Sequence, residues 1–116
     1  MANPHRGEVG VTIAGKPYTL VFTTNALCEL EDALNRSAFA VFAEVAKATQ
    51  DATVLRYSTL RAMLWAALRE RHAGISLKEA GGMMEDFGIR EVMGALVQAM
   101  AAAMPDPEQQ DDAPKA

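Results

Sequence analysis

From Glu8 onward the apolar positions recur at every second residue. Val9, Val11 and Ile13 share one face, and Gly10 and Thr12 share the other. Ala14-Gly15-Lys16 then supplies a turn, because Gly15 is free to take a positive φ. Beyond Pro17, the residues Tyr18, Leu20 and Phe22 alternate with Thr19, Val21 and Thr23. Two alternating runs around a glycine turn predict a β-hairpin. A hairpin alone is marginal in water, so this one must lie on an apolar support.

The period changes at Thr24-Asn25, both good helix caps. Leu27, Leu30 and Leu34 then fall on one side and Glu29, Asp32 and Asn35 on the other, predicting a helix from Asn25 to about Asn35. Ser37 caps a second helix ending near Ala48, with Phe39, Phe42, Val45 and Ala46 directed inward. Thr49 to Arg56 is loop-like, with Val54 and Leu55 touching the core. Tyr57 to Arg71 forms a third helix with a Leu60, Leu64, Leu68 stripe, a wet side of Arg61, Arg69, Glu70 and Arg71, and an end at His72-Ala73-Gly74. Ser76-Leu77-Lys78-Glu79 matches the capping box, in which serine and glutamate satisfy each other's orphan N–H groups. The fourth helix turns Leu77, Ala80, Met83, Met84 and Phe87 to one side and stops at Gly88. A fifth runs from Ile89 to Met104 and stops at Pro105. The expected fold class is α+β and mainly helical: a hairpin packed on about five helices.

With 116 residues the chain fits one small domain, spanning 8–104 after a polar lead at 1–7. Residues 105–116 hold three prolines, four acids and two glutamines, the composition of a mobile tail. Half the residues are hydrophobic and 22% are charged, enough for a packed core. The net charge of −4 is concentrated in that tail, leaving the domain nearly neutral and without the basic face that a nucleic-acid protein needs. No apolar run reaches about 18 residues, so no membrane span is expected. The N-terminus has no secretory pattern, and the lone Cys28 can form no internal disulfide; a soluble intracellular protein is expected.

Catalytic signals are weak. His5 lies near the start of the chain and His72 at a helix end, where a surface role suits it. Glu29, Glu31 and Asp32 scatter over a solvated helix face rather than forming a carboxylate pair. Gly81-Gly82 lies within a helical pattern, without the lysine of a phosphate loop, and suits close helix packing. Cys28 reads as a small apolar side chain, since no histidine is placed to activate it. The expectation is no enzyme, no cofactor and no metal.

The informative excess is on the fifth helix. With Val92 as origin, Ala103, Leu96, Ile89, Met100, Met93, Met104 and Val97 fill an arc of about 140°. One core-facing side requires roughly 100°. Five of the seven methionines lie on the last two helices, and methionine's flexible thioether suits surfaces that accept varied apolar helices. Spacing alone favours a central helix buried on two sides, with methionine filling gaps; the competing reading is a partner surface. Trp65, flanked by Arg61 and Arg69, suits cation–π contact or an interface anchor.

Several segments in order carry a family likeness: Gly7-Glu8-Val9, Ile13-Ala14-Gly15-Lys16-Pro17-Tyr18-Thr19-Leu20, Phe22-Thr23-Thr24-Asn25-Ala26-Leu27 with Leu30-Glu31, Leu60 through Leu68, and Ser76-Leu77-Lys78-Glu79-Ala80-Gly81. Together they resemble the gene-transfer-agent family of small phage-tail proteins, which is grouped with the tail assembly chaperones and sometimes labelled tail tube protein. The likeness covers roughly residues 7–104. It implies a helical protein with an N-terminal hairpin that binds the tape measure protein, the tail tube protein or both, with the tape measure the expected partner, in the cytoplasm of a bacterial host during assembly. It brings no catalytic residues.

A tape measure helix exposes a long apolar stripe that must be covered reversibly. On this reading Met83, Met93, Val97, Met100 and Met104, with Trp65, form the covering surface. The same surplus would also serve a homo-oligomer seam. The rival reading is a tube, adaptor or connector subunit retained in the particle.

Overall fold

The computed structural model describes residues 7–104, so the polar lead before Gly7 and the acidic tail 105–116 lie outside the described residues. Strands β1 (Val9–Ile13) and β2 (Lys16–Leu20) pair antiparallel, with Val9 opposite Leu20, Val11 opposite Tyr18 and Ile13 opposite Lys16. That register leaves Ala14-Gly15 as a two-residue turn, and both residues have positive φ, 53° and 81°. A turn of this kind matches the right-handed twist of the strands. Ile13 and Leu20 are buried on the inner face.

The strand ends at Leu20, three residues before the Thr23 to which the sequence pattern carries the alternation. Val21 donates its N–H to the Ala67 carbonyl at 3.0 Å, which ties the chain to the next layer, and Val21 and Phe22 are then both buried. Thr19 donates its N–H to Nε2 of His72 at 3.1 Å, and the Tyr18 ring meets that imidazole edge-on. His72, expected as a surface residue, is therefore a structural tie between hairpin and helices.

Helix α1 (Thr24–Leu34) starts one residue before the expected Asn25. Thr23, not Thr24, accepts from Ala26 N–H, and Asn35 closes the helix in the left-handed region at φ 54°. Helix α2 (Ala38–Ala48) is capped by Ser37 as predicted, and Glu31 of α1 accepts a further orphan N–H from Ala38 at 2.8 Å. Its inward face is Ala38, Val41, Phe42, Val45 and Ala48. Phe39 and Ala46, expected inside, are exposed. Phe39 lies instead edge-on against Phe42, with ring centroids 6.0 Å apart. A single 3-10 turn, Ala52–Val54, capped by Asp51, occupies the predicted loop; Val54 and Leu55 are half-buried.

Helix α3 (Tyr57–Leu68) is the hub, packing against α1, β2, α4 (Leu77–Phe87) and α5 (Ile89–Ala103). Leu60, Leu64 and Leu68 are fully buried, but so are Met63, Ala66 and Ala67, and Thr59 and Ala62 nearly so. The alanines let neighbouring backbones approach from several sides, while each buried leucine contributes about 1.5–3 kcal/mol. The enclosed helix is thus α3, and α5 packs on its flank. The capping box of α4 is present in full, with Ser76 and Glu79 exchanging bonds of 3.0 and 2.8 Å. Gly88, at φ 99°, ends α4 and begins α5, with no residue to spare between them.

Candidate docking surface

Because α3 is enclosed on most sides, what it leaves exposed is informative. Tyr57, Arg61, Trp65 and Arg69 follow one another four residues apart, which places them along one side of the helix. Tyr57 is 65% exposed, Arg61 is exposed and Trp65 is half-buried. Arg69 holds its guanidinium over the Trp65 ring at 5.1 Å, donates to the Ala73 carbonyl and pairs with Glu29 of α1 at 3.4 Å. The cation–π contact read from the sequence is present on the Arg69 side.

Arg61 lies across α4. A Cβ built on Gly81 would stand 3.1 Å from Cδ of Arg61. The seam between α3 and α4 opens there into two adjoining hollows of about 270 and 340 Å³ that share Tyr57, Gly81 and Met84. Ser58 and Arg61 complete the first, and Glu85, Gly88 and Ile89 the second. Close approach at Gly81-Gly82 is thus half realised: Gly81 receives the arginine stem, while Gly82 has nothing within 4 Å.

The predicted surface residues are placed unevenly. Met93 and Val97 are half-buried along one edge of α5, Met104 is 43% exposed at its end, and Met83 is half-buried on α4. Met100, expected on the surface, is a core residue together with Val92, Ala95, Leu96 and Ala99. The inward face is centred to one side of the predicted arc because Ala95 and Ala99 share it. None of the six predicted residues lines the two hollows. A signal for that trough was present in the four-residue spacing from Tyr57 to Arg69, but the partnership with Gly81 is tertiary.

The remaining chemistry candidates are dispersed. Glu29 pairs with Arg69, Glu31 caps α2, and Cys28, read as an apolar filler, is exposed. Glu44 of α2 joins Arg36, Arg56 and Thr59. Burial opposes its ionisation, but the hydrogen bonds from Arg36 and Thr59 and the two arginine charges outweigh it, holding the carboxyl below its ordinary range. Among the described residues no three His, Cys, Asp or Glu side chains gather as metal ligands, and no helix is long and apolar enough to cross a membrane.

A hairpin followed by five helices, with an aromatic and arginine side on the hub helix, defines a small, mainly helical α+β domain. Residues 6–106 match the family described as phage tail tube protein, GTA-gp10, and the chain belongs to that phage-tail family. No curated protein and no solved structure matches it.

Proposed function

We propose that this protein acts in tail assembly as a chaperone, covering the apolar helical tape measure protein until tube subunits enclose it. The observation that carries the reading is the balance of the fold. Two five-residue strands form the whole sheet among the described residues, and the body is helical. A subunit that built a tube by continuing its sheet into those of its neighbours would need far more strand. A half-exposed apolar edge of Met93 and Val97, ending in Met104, with Met83 on the preceding helix, supports reversible cover of a helical stripe. The bacterial cytoplasm is where such cover is needed.

Co-expression with the tape measure protein tests this. The protein should keep the tape measure soluble and co-purify with it, and Met104→Asp together with Met93→Gln should abolish capture while the thermal midpoint moves by only a few degrees. The family description favours a second reading, a structural subunit retained in the tail. Mass spectrometry of purified particles separates the two: a chaperone is depleted, whereas a subunit appears in tube-like amounts.

A further inference from the structure

The geometry points to the trough between α3 and α4 as an oriented docking site for one face of an amphipathic helix from another polypeptide. That face would carry an acidic, an apolar and a basic side chain in succession. This site is separate from the methionine edge of α5, and it does not depend on which tail component is bound there.

Charge placement carries the inference. Arg36, Arg56, Arg69 and Arg71 each have a carboxylate partner. Arg61 and Arg90 have none within 4.0 Å among the described residues, and of the two only Arg61 lines the trough, where Glu85 likewise has no cation. These two exposed, unpaired charges line different ends of one seam, Arg61 in the first hollow and Glu85 in the second. Between them the shared lining is Tyr57, Gly81 and Met84, an aromatic ring, a bare backbone and a thioether. The Arg61 end is made more positive by the first turn of α3. Ser58 of that turn lines the same hollow, Arg56 at the cap makes no side-chain capping bond, and no acid lies in the turn. A docked carboxylate therefore meets Arg61 and the open helix end, an apolar side chain rests on Tyr57 and Met84, and a cation meets Glu85.

Two further observations fit. Gly81 stands in a helix interior, where glycine is unfavourable, and its missing side chain is what lets the Arg61 stem lie flat. Tyr57, beside the trough, is among the most exposed large side chains described. A helix docked there replaces water over the ring while the charges fix its direction.

Trp65, the sole tryptophan, is one turn from Arg61 on the same side of α3, so its emission reports on occupancy. The probe is an alanine-based helical peptide carrying Glu, Leu and Lys four residues apart, titrated into the full chain. Saturable change in Trp65 emission is expected, and Arg61→Glu should weaken it at least about fivefold. A peptide with Glu replaced by Lys should bind Arg61→Glu better than it binds the wild type. Circular dichroism should show Arg61→Glu folded, and if it is not, Arg61→Gln with the Glu85→Lys variant carries the same comparison. Equal affinity for both peptides, or no saturable change, overturns the proposal. So does a concentration-dependent emission change without peptide, which would make a second copy the occupant.

Discussion

Arg61 of α3 lies over Gly81 of α4, with its Cδ 3.1 Å from where a Cβ on that glycine would stand. An alanine there gains helix propensity but has to move the arginine, which is exposed and free to swing outward. Gly82, one residue on, has nothing within 4 Å. Gly82→Ala should therefore raise stability by roughly 0.5–1 kcal/mol. Gly81→Ala should gain less and should weaken binding of the Glu-Leu-Lys peptide. Urea denaturation of both variants, beside the Trp65 titration, checks the pair; a loss of stability in Gly82→Ala would contradict the open space seen around it.

The hairpin turn holds an alanine at φ 53°, a region in which only glycine, asparagine and aspartate are at ease. Ala14→Asn should add about 0.5–1 kcal/mol, while Ala14→Val should destabilise. Equilibrium unfolding followed by circular dichroism reads both, and opposite signs are the expected signature.

Gly88 combines φ 99° with a near clash, since its missing Cβ would stand 2.7 Å from a carboxylate oxygen of Glu91. Gly88→Ala should lower stability by about 1–2 kcal/mol from backbone strain. Glu91→Ala in the same chain should relieve only the steric part. A thermal midpoint unchanged in Gly88→Ala would mean that the elbow between the helices is looser than this geometry.

Glu44 sets an acid dependence. Its carboxyl titrates below its ordinary 4.5 in the folded protein, so the stabilisation it supplies is complete above that value and is lost as pH falls through the lowered one. Glu44→Gln should reduce stability by about 1–2 kcal/mol at neutral pH by removing charged hydrogen bonds. It should also flatten the fall in urea midpoint below pH 4.5. Parallel curves for the two proteins across that range would show that Glu44 makes no such contribution.

Met100 and Met104 lie one turn apart with opposite surroundings, 7% and 43% exposed. Met100→Ala should cost about 2–4 kcal/mol through the cavity it leaves. Met104→Ala should stay within about 0.5 kcal/mol, leaving its effect on the proposed capture of the tape measure protein to be read separately.

Much of the fold was legible because local signals decide it. Ser37, the Ser76–Glu79 box and Gly88 each end or begin a helix through chemistry contained in a few residues. Element faces were harder. On α2, Phe39 was chosen over Val41, yet a one-residue rotation puts Val41 inside at 0% exposure and the larger ring outside at 55%. On α5, alanines are two of the five buried residues, and alanine gives periodicity little weight. Burial of α3 on nearly all sides follows from the same small residues, Ala62, Ala66 and Ala67, whereas its leucine stripe alone predicts a one-sided helix. The trough was least legible of all. Arg61 and Glu85 are brought to one seam only by the packing of α4 on α3, which no local spacing announces.

The single glycine at position 88 leaves α4 and α5 without slack between them. Any change in the angle between the two helices has to pass through that residue's own φ and ψ. Met84 and Gly81 in the trough and Met93 and Val97 on the outer edge are thus mounted on the two arms of one elbow. A displacement of the first arm reaches the second arm's methionines only through that one residue or through the direct packing of the two helices.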